Sequence, residues 1–365
     1  MKDYIIARIL FLMAALHLLF LNSCKKNEDE LSPPEETACE IHAGFIYAVD
    51  SINERIIFTN QSSGDVSEYE WNFGDNSASS DPNPVHTYSS PGEVQVCLTV
   101  KNPADGCNQR HCININVPVS AVPVESKNRA LLIDFSETWC PPCGAYGGPG
   151  FDSCLVLEGA KISALRVYGS SSPASLNSPF ASEFISDFNI AGYPTFYLNS
   201  QPMNASGGVY SSAGANYNWA NAYANSFASQ SVKAGLIFSR MKSGNMLTVE
   251  TKCKFFSSQP SGKDFRIAVY LVEDQVIAPQ EVSGKGTVTD YVHRNLIRAC
   301  NSAVSYKGIQ LNSSGASVAT GQIFKNSFNM ALNPGWNYAN LKVVAVLWEV
   351  PSTGKPAVIN TITLN

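Results

Sequence analysis

ALLIDFSETWCPPCG, Ala130 to Gly144, passes from a short apolar run into two cysteines separated by two prolines. Ala130 to Phe135 has the composition of a buried strand, and Pro141 suits the first turn of a helix, where an absent N–H leaves nothing unbonded. A cysteine pair at such a junction admits three chemistries: a redox dithiol, half of a zinc site, or a structural disulfide. Zinc requires about four ligands, and no second such pair or nearby histidine accompanies this one, so no metal and no cofactor are expected. The redox reading has a physical logic. Cys140 at a helix N-terminus meets unpaired N–H groups and the positive end of the helix dipole, which stabilise a thiolate. That thiolate attacks a disulfide, and the more buried Cys143 resolves the mixed disulfide. Asp134 is a candidate acceptor for the Cys143 proton; a buried carboxylate here can equally be structural.

The compartment bears on that choice. Lys2 and Arg8 flank the apolar stretch Ile5 to Leu21, which has the length and charge of a signal peptide. It runs into LNSC, Leu21 to Cys24, which resembles the lipobox of bacterial lipoproteins. The resemblance implies that Cys24 is lipidated and becomes the first mature residue, so the membrane is met through a lipid anchor. An uncleaved anchor is the alternative, but the run is short for a full span. The next residues, KKNEDELSPPEET, read as a solvated tether, and Lys25, Lys26 and the acidic run fit outer-membrane sorting or surface display. The chain carries 15% charged residues, a net charge of -5, 25 Gly and 20 Pro. That balance suits a globular, strand-rich exported protein and excludes a nucleic-acid footprint. Ten cysteines in an exported chain make disulfides the default state.

Residues 39–118 read as short strands broken by turns. Within them, Trp71, Phe73, Gly74, Asp75, Pro84, His86, Tyr88 and Gly92, followed by a strand ending at Val100, resemble the PKD domain, an immunoglobulin-like β-sandwich. The resemblance implies a presentation or contact module, and it assigns Asp75 and His86 to the fold rather than to a metal. The hairpin turning through Asn102 to Cys107 sets Lys101 against Asn108 and Cys97 against Cys112, on the face opposite Val96 and Leu98. A cross-strand disulfide is therefore expected, with Cys39 and Cys107 as a second candidate pair. VPVSAVPVESKN, with two prolines, reads as a linker over 119–128.

Beyond it, strand-like and helix-like runs alternate: ALLIDFSE, KISALRVYG, SPFASEFISDF, PTFYLN and NWANAYANSFASQ. Asp134, the Cys140–Cys143 pair and the Tyr193–Pro194–Thr195 turn resemble, in order, the features of the thioredoxin fold. The resemblance implies that Pro194 is a cis-proline beside the dithiol, offering backbone groups to a substrate chain. Cys154 lies roughly 16 Å along a continuous helix from Cys143, at 1.5 Å per residue, and GAYGGPG is expected to break that helix. A small core thiol is its expected role. From Ser231 onward MLTVETKCKFF, FRIAVYLVE, LKVVAVLWEV and AVINTITL alternate as in a second sandwich. YLVEDQVIAPQ and TDYVHRNLIRAC, with Glu273, Gln280, His293 and Arg298, resemble the outer membrane protein 28-related lipoproteins. Each of those four is read as a satisfied polar group where a loop meets a sheet. Cys253 and Cys300 are a candidate bridge.

The expected architecture is multidomain β and α/β: a signal peptide (1–23), a tether (24–38), a PKD-like β-sandwich (39–118), a linker (119–128), a thioredoxin-like α/β domain (129–230) and a C-terminal β-sandwich (231–365). The expected function is thiol–disulfide exchange on envelope or surface proteins, with Cys140, Cys143, Asp134 and Pro194 as the site. The expected location is the outer membrane, on its periplasmic or cell-surface side. The alternative is a non-enzymatic surface-binding or adhesion protein with a structural Cys140–Cys143 bridge. Solvent access separates the two, since exchange requires Cys140 to be reachable beside Pro194.

Overall fold

The computed structural model describes residues 39–104, 106–204, 208–313 and 315–364. Cys24, the signal peptide and the tether to residue 38 lie outside the described residues. Alternation of apolar and polar residues builds the N-terminal sandwich. One sheet has the order β1 (Phe45–Asp50), β2 (Arg55–Asn60), β5 (Val85–His86). The other has the order β4 (Ala78–Ser79), β3 (Glu68–Asn72), β6 (Gly92–Asn102), β7 (Cys107–Val117). Ile56, Phe58, Trp71, Phe73, Val96 and Leu98 are fully buried between them. Asp75, Ser77 and His86 bond one another, and the His86 ring stacks on Phe73 with centroids 4.2 Å apart.

The β6–β7 register sets Lys101 opposite Asn108 and Cys97 opposite Cys112, and the two sulfurs are bonded. Val96 and Leu98 fill the core on the other face of β6, so the bridge lies on the face turned away from that core, with Cys97 buried and Cys112 exposed. Cys39 and Cys107 are each disulfide-bonded as well. Replacing Cys97 and Cys112 together by serine should lower sandwich stability by about 2–4 kcal/mol, because the bridge closes a long loop in the unfolded chain. Urea unfolding of the variant with an unshifted midpoint would contradict this.

Residues 119–128 are not a loose connection. Val119, Ala121, Val122 and Val124 are buried, and the 3-10 turn Val119–Ala121 packs on β12 (Ala234–Ser243) and β13 (Met246–Phe255). The Lys252 ammonium reaches in from β13 to the carbonyls of Val119 (3.3 Å) and Val122 (2.6 Å) and to Glu54 of the β1–β2 turn (2.7 Å). A buried cation is tolerated because each donor finds an acceptor. The apolar side chains between the prolines bury this segment, which prolines alone make look like a tether.

The expected thioredoxin-like α/β domain followed by a separate C-terminal sandwich is overturned. Strand dominates, and the α-helices among the described residues are α1 (Gly148–Cys154), α2 (Ala181–Asp187) and α3 (Ala213–Ala228). The strands of 129–230 do not close a domain of their own. β8 (Ala130–Ser136), β9 (Ile162–Tyr168), β10 (Thr195–Leu198) and β11 (Gln201–Pro202) continue into β14 (Asp264–Glu273), β17 (Leu296–Cys300), β20 (Leu341–Val350) and β21 (Ala357–Leu364). The order is β11-β10-β8-β9-β17-β14-β20-β21, with β18 (Ile309–Gln310) on β14, in one nine-stranded sheet. The join is a parallel bridge between Leu296 and Arg166. The physical reason is visible in the packing. Leu131, Ile133, Leu165, Val167, Tyr270, Ile297, Val344 and Val346 make one apolar face that runs across the join, and splitting it would expose that face to water. On the opposite face α1 and α3 cover Ala130, Leu132 and Phe196. The three-stranded sheet β12-β13-β19, with β19 at Ile323–Ala331, covers Phe265, Ile267, Val269 and Val343.

The candidate Cys253–Cys300 bridge is also overturned, for the same reason. Cys253 lies in the core under the three-stranded sheet, whereas Cys300 packs on the other face of the nine-stranded sheet. Cys154, Cys253 and Cys300 are free thiols, and burial pushes Cys154 and Cys300 up to about 12. Thiols so hard to ionise are poor nucleophiles. No helix among the described residues is long and apolar enough to cross a membrane.

Candidate functional site at the dithiol

β8 is buried along its whole length and delivers the chain to Cys140. Cys140 and Cys143 are joined by a disulfide. The helix does not break at GAYGGPG. Cys143–Gly147 forms a π-turn that passes directly into α1. Glycine is required there by close neighbours. A Cβ on Gly147 would lie 2.8 Å from Pro194 Cβ, and one on Gly144 would lie 2.7 Å from Val282 Cγ2 and overlap the Glu281 carbonyl. The wide turn therefore wedges the dithiol between two other parts of the chain.

One of these is the Tyr193–Pro194 turn, whose peptide bond is cis. The Tyr193 carbonyl stands 3.5 Å from Cys140 Sγ, and the Cys143 N–H points at the same sulfur from 3.2 Å. In the disulfide this sulfur carries no hydrogen, so the carbonyl contact becomes a hydrogen bond only on reduction. The Cys143 N–H favours a thiolate at Cys140. Trp139 is 55% exposed and meets Tyr193 edge to face at 6.2 Å, and Tyr146 is exposed nearby in sequence.

The second is a hairpin made by β15 (Val276–Val282) and β16 (Gly286–His293), which form a two-stranded sheet of their own. Glu281 N–H donates to Thr138 O (2.8 Å) and Ser283 N–H to Pro141 O (3.0 Å). Gln280 Nε2 donates to the carbonyls of Glu137 (3.2 Å) and Cys140 (3.1 Å), and Tyr291 OH donates to Gly144 O (3.2 Å). The hairpin thus caps the Cys140 loop. Cys140 is 3% exposed and Cys143 2%. The exposure of Cys140 that exchange requires is absent.

Asp134 is fully buried, and its Oδ2 accepts from Arg166 Nε at 2.6 Å rather than from a cysteine. Its Oδ1 has no hydrogen-bond partner among the described residues, and desolvation lifts the carboxyl to about 6 although Arg166 opposes the rise. The Arg166 guanidinium also lies 4.4 Å over the Phe151 ring. Sequence reasoning missed Arg166. The available signal was a charge in the middle of an apolar strand, opposite a second charge in ALLIDFS. Gln280, read as a satisfied polar group where a loop meets a sheet, is satisfied, and its amide also holds the cap to the dithiol. Glu273 and Arg298 do pair with each other, 2.6 Å apart.

His293 ends the hairpin and is fully buried. Tyr168 OH donates to Nδ1 (2.5 Å), which leaves the proton on Nε2 to donate to Ala278 O (3.1 Å). Burial, with Arg166 adding to it, pushes His293 down to about 4. Against an unfolded value near 6.5, this histidine contributes its full share of stability above pH 6.5 and loses it as pH falls towards 4. The loss approaches roughly 3 kcal/mol, at 1.36 kcal/mol per unit. Asp134 works in the opposite sense below pH 6, because its protonated form is the one burial favours. The expected result is a flattened acid profile for the unaltered protein and a gain in acid resistance for His293→Gln, measured as urea midpoints from pH 7 to 4. Equal acid dependence in the two proteins would count against a buried neutral imidazole.

Among the described residues no cluster of histidine, cysteine or carboxylate side chains fits a metal ion. The PKD domain family matches residues 43–117, and the outer membrane protein Omp28 family matches residues 181–363, half of the chain. HBP35 of Porphyromonas gingivalis is similar in structure, with a TM-score of 0.51 at 18% identity over 66% of this chain and 76% of that one. The PKD1 domain of Vibrio anguillarum Epp matches at 26% identity and TM-score 0.20, over 23% of this chain and 95% of its own. The PKD1 domain of the Vibrio cholerae metalloprotease PrtV matches at 29% and 0.19, over 20% and 93%. No curated protein matches the sequence.

Proposed function

The chain belongs to the outer membrane protein Omp28 family and is a protein of the outer membrane or cell envelope, and from that premise we propose that it exchanges disulfides with envelope or surface proteins through Cys140 and Cys143, held at the membrane by lipid on Cys24. The observation that carries the proposal is the contact of Cys140 Sγ with the Tyr193 carbonyl, beside Pro194 and under the Cys143 N–H. A bridge between residues three apart is a weak staple. By loop entropy it restrains the unfolded chain about 1 kcal/mol less than the Cys97–Cys112 bridge does. The peptide carbonyl and the N–H directed at its sulfur support a use beyond stapling.

In the reducing direction, which requires an envelope dithiol first to reduce the Cys140–Cys143 bridge and become a disulfide itself, the Cys140 thiolate attacks one sulfur of a client disulfide and expels the other as a thiolate. Cys143 then attacks Cys140, closing the internal bridge and releasing the client's second thiolate, so two electrons pass to the client. Asp134, with an unpartnered oxygen and an affinity near pH 6, serves as a proton acceptor in this scheme. The hairpin must lift for a client to reach Cys140.

Burial of Cys140 favours the second reading, a surface-binding protein with a structural bridge. Cys143→Ser decides between them. Exchange predicts mixed disulfides with client proteins in cells, released by reductant and absent in Cys140→Ser. If nothing is trapped and the couple titrates below about −300 mV, the range of structural disulfides, the bridge is structural.

A further inference from the structure

We propose that β1 is a self-association edge, and that two copies of this chain pair through it in antiparallel register centred on Tyr47. Among the described residues β1 is an outer strand of its sheet and pairs only with β2. Ile46 is 57% exposed, Tyr47 41% and Val49 40%, and Ala48 between them is exposed as well, so the middle of the strand meets solvent with apolar side chains. Edge strands are ordinarily blunted by lysine, proline or a bulge, and FIYAVD contains none of these. Its one charge, Asp50, is engaged by Asn53 and Arg55 within its own hairpin.

The hydrogen-bond phase identifies the free groups. His42 and Ser63 exchange both backbone bonds, and Gln61 N–H donates to Gly44 O, so the even-numbered residues face β2. Phe45, Tyr47 and Val49 therefore direct their N–H and C=O groups to the open side. A two-fold axis through an antiparallel pair sets one residue opposite its own copy. With Tyr47 at that point, Phe45 meets Val49 of the second copy and Ile46 meets Ala48, so each directly opposed pair is apolar. All three outward residues of each strand then exchange backbone bonds. Centring on Ala48 instead would oppose Ile46 to Asp50, and centring on Ile46 would leave Val49 beyond the pairing. The strand is self-complementary in one register. The chain's own N-terminal stretch KKNEDELSPPEET is a poor rival, because its charges do not suit an apolar edge and its prolines lack the donors.

An interface of one strand pair is smaller than the roughly 1,200 Å² of a standard complex, so association in the micromolar range is expected. The test uses the full chain in detergent. Sedimentation should show a monomer converting to a dimer as concentration rises through the micromolar range, and Tyr47→Lys should abolish the dimer. Tyr47→Cys should cross-link to a dimer on mild oxidation, since directly opposed residues of a hydrogen-bonded pair lie about 5.5 Å apart. Ala48→Cys should cross-link at least tenfold less. A chain that stays monomeric at all concentrations, or cross-linking that is equal at the two positions, overturns the proposal. Cover by the chain's own N-terminal stretch or by another protein's strand would give that monomeric result. None of these outcomes depends on the chemistry of the dithiol.

Discussion

Gly144→Ala should open the dithiol. The added methyl has no room, because Val282 Cγ2 would lie 2.7 Å away and the Glu281 carbonyl closer still. The backbone of Gly144 is not in the left-handed region, so the substitution does not strain the π-turn itself. What has to move is the hairpin, an independent two-stranded sheet that meets the Cys140 loop mainly through hydrogen bonds. Forcing a methylene into a packed contact costs about 1–3 kcal/mol, and each 1.4 kcal/mol is tenfold in population. Reduction of the Cys140–Cys143 bridge by a small thiol is therefore expected to quicken about ten- to a hundredfold, with little change in overall unfolding. Gln280→Ala should act in the same direction by a smaller factor, since it removes donors to Glu137 and Cys140 without adding bulk. Unchanged reduction rates in both variants would mean that the hairpin does not limit access. The exchange proposal would then lose its gate.

The larger effect on folding is expected at Arg166. Its guanidinium is sealed between strands and helix, with Asp134 on one side and Phe151 on the other. Arg166→Leu leaves the Asp134 carboxyl buried without its partner. Breaking a buried pair from one side typically costs about 3–5 kcal/mol. Asp134 would then be held neutral well above pH 6, because desolvation would act on it unopposed. The double variant Asp134→Leu with Arg166→Leu should recover most of the loss, since an apolar pair of similar volume removes both desolvation penalties. Urea unfolding of the three proteins provides the cycle. A double variant as unstable as Arg166→Leu would show that the pair contributes something other than charge neutralisation, and a stable single variant would refute the argument.

These two sites lie where local sequence signals end and tertiary contacts begin. Periodicity belongs to neighbouring residues. The β6–β7 hairpin follows from its turn, which is why Cys97 stands opposite Cys112 in the register that turn imposes. The apolar runs of β8, β9, β14 and β20 are likewise legible as buried strands. Adjacency in a sheet is a different kind of fact. Nothing in ALLIDFS or KISALRVYG states that strands more than a hundred residues later complete their sheet, because each run only demands burial and is indifferent to what supplies it. The thioredoxin-like domain was lost on that point. Tertiary structure alone joined Arg166 to Leu296 and carried one apolar face across the join.

The same division runs through the site. Chain order and residue type determined that Cys140 and Cys143 lie at the start of a helix, because a buried strand, a proline and a two-residue spacing are local signals. Whether water reaches the sulfur was decided by Gln280 and Glu281, some 140 residues away, whose contacts rest on backbone carbonyls that every sequence possesses. A hydrogen bond to a main-chain oxygen leaves no trace in the identity of the residue that offers it.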